Sequence, residues 1–143
     1  IKWNENNTVE QNKKVFNIAE TQNLLLNKLY KQVDPQKLYI LDGHYCLINR
    51  LSQTEQIPEY IFKEINPICF ILINESLKTI KRRLISRNYN QEFIETVYEL
   101  SKHELKYANE LSKRLNKGLI VSNSKDISII QNYLAIKISS MNI

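Results

Sequence analysis

Apolar positions along this chain follow two rhythms. Ile18, Leu25, Leu26, Leu29 and Val33, with Gln22 in the same row, recur at the spacing of one helix face. Asn17 and Glu20 stand three apart, as in a capping box, and Asp34-Pro35 closes the segment. Leu38–Leu41 is a short run apolar on both faces, the pattern of a parallel strand covered on both sides. Pro58 opens a short helix to about Ile65, and Asn66-Pro67 stops it. Ile68–Ile73 (ICFILI) reads as a second strand. Glu75–Arg87 reads as a helix with Leu77, Ile80 and Leu84 on one face. Asn90 caps a long helix from Gln91 to about Asn116, striped by Ile94, Val97, Tyr98, Leu105, Ala108, Leu111 and Leu115, with Gly118 at its C-terminal stop. Leu119–Val121 is a third strand. Ile127–Ile138 is a last helix, with Ile130, Tyr133, Leu134 and Lys137 at helical spacing. Residues 1–14 are polar and irregular.

Strands alternating with helices predict an α/β fold: a parallel sheet with helices on both faces, in one domain over residues 1–143. The 43 % hydrophobic content suffices for a core at this size. No stretch reaches the roughly 18 apolar residues of a membrane helix, so a soluble protein is expected. Cys46 and Cys69 make neither a disulfide framework nor a zinc pattern; as small hydrophobes they favour a reducing, cytoplasmic setting.

The net charge of +5 admits phosphate ligands or nucleic acid, and equally a solvated basic surface in a chain rich in Asn, Lys and Ile. Only Lys81-Arg82-Arg83 is dense, and aromatic residues do not interleave with the basic ones as a single-strand platform requires.

In an open parallel sheet, ligands bind beyond the carboxyl ends of the strands. Asp42-Gly43-His44, Asn74 and Ser122-Asn123-Ser124 follow the three expected strands and fall there. An aspartate at a strand tip suits magnesium, which keeps most of its waters and takes few protein ligands. Gly43 lets a ligand or backbone approach. The same Asp-Gly pair also serves as an ordinary turn. His44 reads as an orienting or packing residue, and His103 as a surface residue. Arg83 and Arg87, four apart, share a helix face and can grip phosphate oxygens, or simply complement the macrodipole.

Together these segments resemble a known family. Tyr39-Ile-Leu-Asp-Gly-His44 resembles the third-strand signature of adenylate kinases and related P-loop nucleoside and nucleotide kinases. Pro58, Ile65-Asn66-Pro67 and the ICFILI strand are similar to a segment of archaeal-type adenylate kinases. Arg83-Leu-Ile-Ser-Arg87 resembles their Arg-x-x-x-Arg leading into the lid, and Val121-Ser-Asn-Ser124 the loop bordering the adenine. A bacterial group of AAA-family, P-loop ATP-binding proteins, with a Leu-Asp-Gly-His-Phe-Cys-Leu-like stretch, is closer still. The resemblance spans about Lys13 to Leu134. It implies a three-layer P-loop kinase-like sandwich and phosphoryl transfer from ATP with Mg2+, a chemistry of positioning and charge stabilisation. It implies Asp42 beside the metal or the acceptor phosphate, and Arg83 and Arg87 on donor phosphates or the adenine face. Ser122, Asn123 and Ser124 would line the adenine pocket. Gly43 and His44, with Lys13 and Lys14, fall towards the phosphate acceptor, for which a nucleoside monophosphate is the first expectation.

The chain departs from that family in one respect. The phosphate cradle GxxxxGK[ST] is absent, and the two glycines, Gly43 and Gly118, cannot build another. The expectation is that the natural protein extends upstream by roughly 40 residues, about one strand–cradle–helix unit plus a short strand, and that these 143 residues alone do not catalyse. A non-catalytic binding or assembly module on the same scaffold is the alternative, and a basic nucleic-acid-binding protein a third.

Overall fold

The computed structural model describes residues 14–140 apart from residues 16 and 35, and side chains only from residue 17 onward. Its elements run β1 (Lys14–Val15), α1 (Ile18–Gln32), β2 (Cys46–Asn49), β3 (Thr54–Gln56), α2 (Glu59–Ile65), β4 (Cys69–Ile73), α3 (Leu77–Ile85), α4 (Gln91–Arg114), β5 (Gly118–Ser122) and α5 (Ile127–Ser139).

Local signals account for the helix ends. Asn17, Ser76 and Asn90 each accept the backbone N–H three residues on, from Glu20, Thr79 and Phe93, at 3.1, 3.2 and 2.9 Å. Asn66 takes the left-handed conformation (φ 47°) that stops α2, with its N–H on Phe62 O, and Pro67 follows.

The strands form two small sheets. β1 pairs parallel with β2, and β2 pairs antiparallel with β3 through a turn whose Asn49 side chain accepts the Leu51 and Gln53 N–H groups. β4 and β5 pair in parallel, in register from Cys69↔Gly118 to Ile73↔Ser122. α4 packs on β2, β3, β4 and β5, and so joins the two sheets.

Tyr107, Ala108 and Leu111 of α4 lie in one core with Tyr45, Cys46, Phe70 and Leu72. Phe62 stacks on Tyr45 at 5.8 Å and meets Phe70 and Tyr107 edge-on at 5.9 and 6.2 Å. Each buried phenol finds an acceptor: Tyr107 donates to Ile57 O at 2.7 Å and Tyr45 to Ile71 O at 2.9 Å. Ile18 and Leu26 of α1 close on Ile57 and Ile61 in a second core. Burial pushes the Cys46 thiol up to about 12, so it packs as a neutral hydrophobe.

The strand expected over Leu38–Leu41 does not form. Those residues are irregular and exposed, Ile40 by 81 %. An apolar strand needs ladder partners and covered faces, and among the described residues none pairs with this run. Cys46–Asn49 forms instead, because β1 and β3 flank it and α4 covers it. The three expected strands therefore do not align in one sheet. No helix among the described residues is long and apolar enough to cross a membrane.

Two outcomes follow from this core. Tyr107→Phe leaves the Ile57 carbonyl without its donor and should cost about 1–3 kcal/mol, and Leu111→Ala about 2–5 kcal/mol, by urea denaturation. Burial also raises the Tyr45 and Tyr107 phenols from 10.0 to about 12. The unfolded chain then releases those protons first, so their contribution is intact below pH 10 and lost as pH rises towards 12. Stability measured across that range should fall in the wild type and fall less in Tyr45→Phe/Tyr107→Phe.

Candidate functional site

Parallel pairing brings the carboxyl ends of β4 and β5 to one rim, where Asn74 N–H donates to Ser122 O at 2.7 Å. Beyond β4, Glu75 precedes the cap of α3. Beyond β5, the chain folds into a tight turn: Asn123 Oδ1 accepts Lys125 N–H at 2.8 Å, and Ser122 Oγ donates to Asp126 O at 3.0 Å. This turn is tied to α3. Glu75 Oε1 accepts Ser124 N–H at 2.8 Å, and Arg83 Nη2 donates to Ser124 Oγ at 3.1 Å. Arg83 Nη2 lies 3.8 Å from Glu75 Oε1. The Ser124 hydroxyl and N–H, helped by the nearby Arg83 and Lys125 charges, hold the Glu75 carboxyl below the usual carboxylate range.

Of the residues expected to form a site, Arg83, Ser122, Asn123 and Ser124 gather on this rim. Arg87 lies past the end of α3 and is exposed. Asp42, Gly43 and His44 lie in the exposed irregular segment before Tyr45. That segment is anchored to α4: His44 Nδ1 sits 3.0 Å from Glu104 Oε1, which also accepts Tyr45 N–H at 3.2 Å. Glu104 is about one turn along α4 from Ser101, whose Oγ reaches Asn74 Oδ1 at 3.4 Å. The two halves of the expected site thus meet the same helix, but no contact joins Asp42 to Arg83. Lys14 pairs with Ile48 through its backbone in β1; its side chain and all of Lys13 lie outside the described residues.

A methyl group added at Gly43 meets nothing within 4 Å, so no neighbouring part of the described fold requires the glycine. Gly118 is the constrained one, because the Tyr133 hydroxyl occupies the place of its missing Cβ.

Glu75, Ser101 and Glu104 were not among the expected residues. Glu75 reads in sequence as an ordinary acidic residue at a helix start, and only the parallel register puts it opposite Ser124. Among the described residues no group of three or more His, Cys, Asp or Glu could hold a metal ion. On the β4–β5 rim the Arg83 guanidinium, the Ser124 hydroxyl and the Ser124 N–H converge, a donor set that suits an oxyanion.

A concavity of about 420 Å³ lies between the β2–β3 turn and the N-terminal half of α4. Glu92, Glu95, Glu99 and His103 line it, giving it the wrong charge for an anion.

Comparison with protein-family models, with curated proteins and with solved structures finds no match. The likeness to P-loop kinases therefore rests on the motifs alone.

The glycines give a contrast that thermal melts can read. Gly43→Ala should be neutral or stabilising by up to about 1 kcal/mol, since it meets open space and restricts the unfolded chain. Gly118→Ala should be the less favourable of the two, costing up to about 1 kcal/mol, because the Tyr133 hydroxyl must shift to make room.

Proposed function

We propose that this chain is the nucleotide-side portion of an ATP-binding, phosphotransferase-like protein of P-loop kinase type. Its ligand phosphates would be taken in the crevice beyond β4 and β5. One observation carries the reading: Arg83, from α3, and Ser124, from the turn 41 residues later, meet at 3.1 Å on the rim shared by two parallel strands. Parallel strand ends are where an α/β protein places its ligand, and a guanidinium beside a serine hydroxyl suits a phosphate. The motif resemblance independently assigns these same residues to ATP.

Asp42 remains the proposed magnesium-side or acceptor-side carboxylate. His44 and Gly43 are assigned to the acceptor side, and Arg87, just past the end of α3, to a second cation. When bound, Mg2+ would neutralise phosphate charge. The residues of this chain would position and orient the nucleotide. Phosphoryl transfer also needs a phosphate cradle, which these 143 residues do not contain. The second reading is a binding or assembly module on the same scaffold that holds a phosphate ligand without turning it over.

Calorimetric titration with ATP, ADP, GTP and inorganic phosphate tests the proposal. Nucleotide should bind more tightly than phosphate, and Arg83→Ala should weaken nucleotide about tenfold. Arg87→Ala should do the same if that side chain turns to the ligand. Affinity untouched by Arg83→Ala would end the crevice assignment. In Asp42→Asn, the effect of magnesium on nucleotide affinity should diminish; an unaltered magnesium response leaves Asp42 a surface residue.

A further inference from the structure

We propose that Glu75 is a built-in competitor for the anion site, a carboxylate that occupies the crevice until a polyphosphate displaces it. The inference rests on the phosphate-binding reading of this crevice and adds to it a device that keeps the site closed. The donors available to an oxyanion there are Ser124 N–H, the Ser124 hydroxyl and the Arg83 guanidinium, with the Lys125 charge nearby. Glu75 Oε1 already holds the first, at 2.8 Å, and its side chain is only 13 % exposed. It lies 3.8 Å from Arg83 Nη2, too far for a hydrogen bond. Arg83 therefore spends one N–H on Ser124 Oγ and keeps the rest of its fork unspent, with its side chain 51 % exposed.

A single carboxylate thus masks the backbone donor but does not saturate the cations. A polyphosphate has more acceptor oxygens and more charge, and can take Ser124 N–H and Arg83 together. Its approach also repels Glu75. The Glu75 backbone need not move, because Asn74 N–H is held on Ser122 O and Ser76 is held by its cap to Thr79. Side-chain rotation suffices. Ser124 and Lys125 from the β5–α5 turn and Arg83 from α3 are the groups that face the carboxylate. Because they depress its pKa, the clasp is whole above the ordinary carboxylate range and opens as pH falls through the lowered folded value.

The test follows the Ser124 amide by NMR in the 15N-labelled chain. At neutral pH, tripolyphosphate should bind Glu75→Gln about five- to tenfold more tightly than the wild type, the effect of removing one like charge a few ångströms away. Equal or weaker binding to the variant, or no response to tripolyphosphate in either protein, overturns the inference. In the wild type without ligand, the Ser124 amide should shift on acidification with a midpoint below that of an ordinary glutamate. A flat titration overturns the clasp even if the variant fails to fold. The nucleotide reading fails separately, if ATP binds no more tightly than tripolyphosphate, whatever the variant-to-wild-type ratio.

Discussion

One long helix holds this protein together. α4 packs on strands of both sheets, and its Tyr107, Ala108 and Leu111 are almost fully removed from solvent. The two sheets share no strand. What relates them is this helix, with Tyr45 donating to the Ile71 carbonyl and Phe62 wedged among Tyr45, Phe70 and Tyr107. Buried phenols are costly unless satisfied. Here both hydroxyls reach across to another part of the chain, so the bonds that satisfy them also fix how the sheets sit. Glu104 and Ser101 on α4 extend that role outward, one holding the His44–Tyr45 corner and the other touching the end of β4.

The candidate site inherits its geometry from the β4–β5 register. In-register parallel strands end together, so Glu75 and Ser124, 49 residues apart, face each other across the rim. The crevice combines a cation with unspent donors and a carboxylate that masks one of them. Such an arrangement recognises negative charge and also resists it. On the proposed reading, the balance shifts with the charge of the ligand.

Several apolar surfaces stand open. Leu38, Tyr39, Ile40 and Leu41 are each about half exposed or more, and α5 leaves Ile127, Ile129 and Ile136 in solvent. β4 has a strand on one edge only among the described residues. Parallel strands are ordinarily covered on both faces.

Much of the secondary structure was legible, because helix caps and stops are local chemistry. Asn17, Asn90 and Asn66-Pro67 mark their helix ends in three or four residues, and the stripe Ile94, Ala108, Leu111 is set by helical period. The ICFILI and Leu119–Val121 strands were equally plain. Leu38–Leu41 misled because an apolar run states a need for cover, not whether cover is present. The chain by itself determined the helices, two of the strands and the strand-end place of the Ser122–Ser124 loop, through spacing and strand-end logic. Only tertiary structure decided that Cys46–Asn49 would be the paired strand, that Gly118 and not Gly43 is constrained, and that Glu75 sits on Ser124. Each of those depends on which distant backbone or side chain lies alongside, and no local pattern encodes it.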